Sequence, residues 1–174
     1  MKKISLIIPA YNEEKRIADT IAVVLPLRGT HLHEIIVVDD CSKDRTKEIV
    51  KTFPQVCLIA HAVNGGKSKT VADAILASTG DFVFLLDADL KFLSSQNIID
   101  LTLPIQDGSA DLTISYRKNA WPLWPFKEID YLSGERIIAK SQVMPTINEM
   151  AKLPSYGLEV FLNRIIITNK LRIK

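Results

Sequence analysis

Short apolar runs rich in Val, Ile and Phe alternate along this chain with stretches whose apolar residues recur at helical spacing. That alternation leaves few folds open. Lys3–Ile8, Glu34–Val38, Val56–Ala60, Asp81–Leu86 and Asp111–Tyr116 read as strands. Between them, Glu13–Leu25 carries Ile17, Ile21, Val24 and Leu25 on one helical face. Lys43–Phe53 reads as a helix ended by Pro54, Ser68–Ser78 as one stopped at Gly80, and Ile98–Leu103 as one before Pro104. A β-α-β-α order of this kind predicts an α/β fold: a mostly parallel twisted sheet, helices on both faces, and right-handed crossovers. Ligands of such sheets bind beyond the carboxyl ends of the strands. Polar clusters at those ends therefore become neighbours in space.

Beyond Tyr116 the pattern loosens. Trp121-Pro122-Leu123-Trp124-Pro125-Phe126 is too proline-rich for a regular element and reads as a loop packed on the body, or a lid. Ile129–Lys140 is expected to return to the sheet with Gly134 at a turn, and Val143–Met150 and Leu158–Thr168 read as helices. No linker or repeat divides the 174 residues, so one domain is expected, with halves of about 1–90 and 91–174.

Composition excludes several classes. With 47% hydrophobic and 24% charged residues the chain is globular. A net charge of +2 without a dense basic run argues against nucleic acid. The apolar stretch after Met1-Lys2-Lys3 stops at Pro9, unlike a signal peptide, and no run reaches the ~20 residues of a membrane span. Cys41 and Cys57 lack zinc or redox spacing and read as thiols of a reducing compartment. A cytoplasmic protein is expected, at most peripheral at the inner membrane face.

Four strand ends carry candidate chemistry. Asp87-Ala88-Asp89 closes the fourth strand. If that segment stays extended, both carboxylates point one way and offer hard oxygen ligands to Mg2+ or Mn2+. Pro9-Ala10-Tyr11-Asn12-Glu13-Glu14 follows the first strand, where Tyr11 could stack on a base. Its plainer reading is a helix start, with Asn12 as N-cap and Glu13 and Glu14 at the positive end. Asp39-Asp40-Cys41-Ser42 follows the second strand. One acid there suits a base N–H or a ribose hydroxyl, and solvated residues around a Ser42 cap explain the pair equally well.

Asn64-Gly65-Gly66-Lys67-Ser68-Lys69 follows the third strand and suits phosphate oxygens, with Lys67 at a helix start. It is no Walker loop: position 61 is His where that motif needs Gly. His61 itself reads as a strand-end or core histidine.

Taken together, PAYNEE, DDCSKD, NGGKSK and DADL resemble the nucleotide-binding half of family 2 glycosyltransferases with the GT-A fold, over about Lys2–Leu90. The resemblance implies inverting transfer of a sugar from a nucleotide-diphosphate sugar, UDP favoured, with Mg2+ or Mn2+. It implies a donor site of Pro9, Ala10, Tyr11, Asn12, Glu13, Asp39, Asp40, Lys67, Asp87, Ala88 and Asp89. Tyr11, Glu13 and Asp40 would hold the base and ribose, and Lys67 would lie near the nucleotide. Asp89 would bind the metal, and Asp87 would support it. Leu132-Ser133-Gly134-Glu135-Arg136 resembles the acceptor-side segment of polyprenyl-phosphate sugar transferases and glucosyl-phosphoglycerate synthases, and Tyr156-Gly157-Leu158-Glu159 a helix start in the same subgroups. Glu135 is otherwise a turn residue, and Glu159 an acid favoured by the helix dipole.

A hydroxyl acceptor needs a carboxylate to take its proton, with Glu159 ahead of Glu135 as candidate base. A phosphate acceptor needs none, and Arg136 could steer it by paired hydrogen bonds. The acceptor stays open among lipid phosphate, phosphorylated acid and glycan. Family members often place a third metal ligand, commonly His, downstream of the Glu159 helix and continue further. Here His31, His33 and His61 are all upstream, and Lys174 follows soon after that helix.

Two other classes compete. A nucleotidyltransferase shares the sheet and a metal aspartate, but carries a Gly-rich basic loop where this chain has Pro9-Ala10-Tyr11-Asn12. A nucleotide-sugar-binding module without turnover accounts for the short C-terminal side. The last helix and tail, 162–174, carry four cations and no acid. They could rest on an anionic membrane, form a homodimer contact, or be a core-packing helix with a frayed basic end, the preferred reading.

Overall fold

The computed structural model describes residues 1–115, 133–154 and 157–174. The Trp121–Phe126 segment, Leu132 and Tyr156 lie outside the described residues. The strands are β1 (Ile4–Ala10), β2 (Glu34–Asp39), β3 (Cys57–Ala60), β4 (Phe82–Leu85), β5 (Leu112–Ile114) and β6 (Arg136–Ala139). They form one six-stranded sheet in the order β3-β2-β1-β4-β6-β5. β1, β2, β3 and β4 are parallel, whereas β6 runs antiparallel to both β4 and β5. The mixed α/β sheet with helices on both faces is the architecture the alternation implied.

The alternation of side chains sorts the core into two layers. Ile4, Leu6, Ile8, Ile35, Val37 and Phe84 pack on one face against α1 (Ile17–Val24), α2 (Thr46–Lys51) and α4 (Ser95–Gln106). Ile7, Ile36, Val38, Val83 and Leu85 face the other way, against α3 (Lys67–Ala77), α5 (Lys140–Val143), α6 (Ile147–Met150) and α7 (Gly157–Thr168). Near-complete burial of these branched residues supplies the main driving force for the fold, about 1.5–3 kcal/mol per side chain by area.

The order of the strands sets the ligand end. From β1 the chain steps outward to β2 and β3, then α3 recrosses on the opposite face and delivers β4 to the other side of β1. The direction of winding reverses between β1 and β4, so a crevice opens beyond their carboxyl ends.

Several boundaries differ from the sequence expectation. Asn12 is not the cap of α1: it has φ 57°, its backbone N–H donates to Ser42 Oγ, and its Oδ1 accepts from the Lys43 amide. Glu13 and Glu14 donate their amides to Thr46 Oγ1 and Asp44 Oδ2, so residues 12–14 are stitched to 42–46 instead of opening a helix. Ser42 likewise caps nothing, because α2 starts at Thr46. Pro104 sits inside α4, near its end, where the missing N–H costs a single bond. Ser94 and Asn97 form a capping box at the start of that helix. The expected helix at 143–150 is two short ones split by a 3-10 turn, Met144–Thr146, with Pro145 inside it.

The basic tail is not frayed. Arg172 and Lys174 backbone atoms hydrogen-bond to Asp111, Leu112 and Ile114 along the outer edge of β5, and the Arg172 guanidinium grips the Asp111 carboxylate at 2.8 and 2.9 Å. Before it, Leu158, Leu162, Ile165 and Ile166 of α7 are buried in the core. Among the described residues no helix is long and apolar enough to cross a membrane.

Candidate active site

A cleft of about 230 Å³ lies at the reversal point, lined by Pro9, Ala10, Tyr11, Glu13, Asp40, Lys67, Thr70, Asp87, Ala88 and Asp89. Nine of these ten were singled out from the sequence, and Thr70 was not. Its hydroxyl donates to the Gly66 carbonyl at 2.9 Å, fastening the start of α3.

Asp87 and Asp89 do reach one cleft, but not by extended alternation. β4 ends at Leu85, and Ala88 and Asp89 form a turn. Thr20 of α1 holds that turn by donating to the Ala88 carbonyl. Asp89 is exposed on the rim, whereas Asp87 lies deeper, with its Oδ1 2.8 Å from Lys67 Nζ.

Lys67 is the hub. Its Nζ also lies 3.0 Å from Glu159 Oε1 in the first turn of α7. Burial works against its charge, but Asp87 and Glu159 outweigh that and raise its pKa. Burial likewise opposes the Glu159 carboxylate, yet Lys67, its own backbone amide and Arg136 hold it below the usual range. Glu159 is therefore ionised at neutral pH and already paired. Gly134 packs on the same group: a Cβ there would meet Asp87 Oδ2 and Lys67 Nζ.

Asp39, the last residue of β2, and Asp40, the first beyond it, make different contacts, as the alternation of successive side chains leads one to expect. Asp40 Oδ1 accepts from the Gly65 amide and faces His61 Nδ1, each at 2.8 Å, and Oδ2 accepts from the Gly66 amide. Burial disfavours the charge, but the Gly65, His61 and Gly66 bonds prevail and lower the pKa. Asp40 lines the cleft while its oxygens hold the glycine turn. Asp39 lies off the cleft surface, 2% exposed, with Oδ2 accepting from Ser42 N and Oδ1 without a partner among the described residues. A buried carboxylate oxygen in that state is an acceptor waiting for a donor. The sequence put Asp40 forward for the base, and of the two aspartates Asp40 is the one that lines the cleft.

Glu135 and Arg136 are interior residues, 4% and 0% exposed. Ser115 and Ser133 hydroxyls donate to Glu135 Oε2, while Arg136 donates to Asn163 Oδ1 and the Ser133 carbonyl. Arg136 sits in β6 opposite Leu85 and does not reach the cleft surface. The sequence put it forward to steer an acceptor phosphate; in the structure it is buried, and its charge helps hold the Glu159 carboxyl below the usual range.

The profile of glycosyl transferase family 2 matches residues 5–137, most of the chain. The chain belongs to that family. Among curated family relatives, a dolichyl-phosphate beta-glucosyltransferase of Trichomonas vaginalis is 37% identical over 97 residues, 49% of this chain and 30% of that protein. A putative teichuronic acid biosynthesis glycosyltransferase of Bacillus subtilis is 34% identical over 93 residues, 51% of this chain and 36% of that one. Glucosyl-3-phosphoglycerate synthase from Mycobacterium tuberculosis, solved with Mn2+, UDP and phosphoglyceric acid, superposes with TM-score 0.79 at 24% identity, over 97% of this chain and 65% of that chain. This family 2 chain thus spans about a third of the length of the curated relatives it matches.

Asp87 and Asp89 form a hard-oxygen donor pair of the kind Mg2+ or Mn2+ takes. Among the described residues no third His, Cys, Asp or Glu joins them. The pair fits a cation that draws its remaining ligands from phosphate oxygens and water.

Proposed function

We propose that this chain binds a nucleoside-diphosphate sugar, UDP-linked by preference, and transfers its sugar with inversion to an acceptor nucleophile. The observation that carries the reading is the cleft at the β1/β4 reversal, where Tyr11 and the Asp87/Asp89 pair face one volume. Tyr11, 44% exposed, offers a face for the base, and Asp40 on the cleft wall suits a base N–H or a ribose hydroxyl. Lys67, at the start of α3, supplies positive charge where a diphosphate would lie. A divalent cation on Asp89, with Asp87 behind it, would offset the charge growing on the departing nucleoside diphosphate.

The acceptor nucleophile approaches the anomeric carbon from the side opposite the diphosphate. Glu159 suits proton removal from a hydroxyl: it is ionised and largely sheltered beside Lys67. Glu135, interior and bonded to two serines, suits a supporting part better. The acceptor classes that fit are a lipid phosphate, as in the names of the dolichyl-phosphate relatives, and a phosphorylated acid, as in the phosphoglyceric acid complex.

One observation favours a quieter reading, a nucleotide-sugar-binding module without turnover. Lys67 is already ion-paired with both Asp87 and Glu159, two of the groups that catalysis would draw on. Calorimetric titration with UDP and with GDP, each with Mn2+ and again with excess chelator, tests the shared premise. Metal-dependent binding of one nucleotide is expected, and binding of neither overturns both readings. Release of nucleoside diphosphate from its sugar conjugate, with polyprenyl phosphate or phosphoglycerate present, then separates transferase from module.

A further inference from the structure

His61 takes no part in the chemistry above, yet it is one of the best-held side chains near the cleft. It directly follows β3, and its backbone N–H donates to the Asp39 carbonyl at 2.9 Å. Its ring is 12% exposed, with Nδ1 2.8 Å from Asp40 Oδ1 and Nε2 3.1 Å from Asp73 Oδ2 on α3. The second approach lacks hydrogen-bonding direction, since Nε2 finds no partner by geometry. A proton on Nδ1 therefore donates to Asp40 and completes its shell.

What that shell holds is the turn before Lys67. Asp40 accepts from the Gly65 and Gly66 amides, and its backbone carbonyl accepts from Asn64 Nδ2. Gly66 has φ 81°, a conformation glycine adopts freely, and the flexible pair is tied to the body through its amides by the Asp40 carboxylate. The next residue is Lys67, whose ammonium must sit within 3.0 Å of both Asp87 and Glu159. A rotation of the turn by even a few degrees is amplified along the long lysine side chain.

We infer that His61 is a positioning residue: through Asp40 it sets the Gly65-Gly66 turn, and through the turn it sets the placement of Lys67 against the bound diphosphate. The inference rests on the donor-site reading above for its functional end, but its structural end stands alone. Asp73, held by Lys69 at 2.6 Å, is a back-stop for the ring and not part of the relay.

Two conservative variants separate the relay from mere filling of space. In His61→Asn the amide nitrogen occupies a δ position, as Nδ1 does, and can still donate to Asp40. In His61→Gln the nitrogen lies one atom further out, as Nε2 does, and addresses Asp73 instead. Hydrogen exchange of residues 62–70, followed by mass spectrometry without nucleotide, is expected to quicken in His61→Gln and His61→Ala and to stay near wild type in His61→Asn. UDP or GDP affinity with Mn2+ is expected to fall about tenfold in the first two and little in the third, the loss of one charge-assisted bond.

Equal exchange in His61→Ala and wild type would overturn the inference, as would Asn and Gln variants loosening the turn alike. Wild-type protein that binds neither nucleotide, with the exchange pattern intact, would instead sink the donor-site reading and leave the relay in place. Melting temperatures of the Asn and Gln variants serve as the control for global damage.

Discussion

A Cβ on Gly134 would stand 2.8 Å from Asp87 Oδ2. Real Cβ atoms essentially never come so close, and Asp87 has no easy retreat because Lys67 holds its other oxygen. Gly134→Ala is expected to weaken metal-dependent nucleotide binding by tenfold or more and to lower stability by about 1–3 kcal/mol, the usual cost of overpacking. Calorimetry and a thermal melt measure the two effects. Wild-type affinity in this variant would mean that Asp87 moves freely and is no fixed part of the donor site.

Asp89 is exposed on the rim, so its removal should barely disturb the fold. Asp89→Ala is expected to abolish the Mn2+-dependent part of nucleotide binding and to leave the melting temperature within a degree or two. An unchanged affinity in manganese would remove Asp89 from the metal site.

Glu159→Gln keeps an acceptor for Lys67 while deleting the proton-accepting carboxylate. With a hydroxyl acceptor, kcat is expected to fall by about 10²–10⁴ while nucleotide affinity holds. With a phosphate acceptor, little change in kcat is expected. Comparing phosphoglycerate with polyprenyl phosphate as acceptor in this one variant tests both statements, and equal loss with both would remove Glu159 as the base.

The tail offers a pH test away from the site. Arg172 holds the exposed Asp111 carboxyl down to about 2, against an ordinary value near 3.9. The sign follows from a depressed acid: docking of the tail is fully supported above about pH 4 and loses that support as pH falls toward 2. Protection of residues 170–174, read as exchange slowed relative to the intrinsic amide rate at each pH, should fall over that window in wild type. It should already be low, and flat with pH, in Asp111→Asn. A tail equally protected in both would show that its backbone bonds to β5 suffice.

Much of the donor side was legible because strand ends in a parallel sheet converge whatever the details of their loops. Tyr11, Lys67 and Asp89 needed only that rule. What stayed hidden depended on the register and on side chains bonding to backbone. Asp39 and Asp40 are one residue apart yet make different contacts, and only the strand pairing shows which carboxylate is spent on Gly65 and Gly66. Asn12 and Ser42 have the composition of helix caps but bond across to each other's loops, a choice that no local pattern encodes. Arg136 looked available because cations usually are. Its depth follows from β6 entering the middle of the sheet, between β4 and β5, which its short sequence does not announce.

Because β6 runs against its neighbours, the chain brings the beginning of that strand to the cleft, whereas β1 and β4 bring their ends. On the proposed reading, the residues that grip the nucleotide, from Tyr11 to Asp89, all precede β5 and β6. Donor choice and acceptor choice would then be separable, like a handle and an interchangeable blade. Exchanging residues 91–174 for the matching part of another family member should leave the nucleotide preference with residues 1–90.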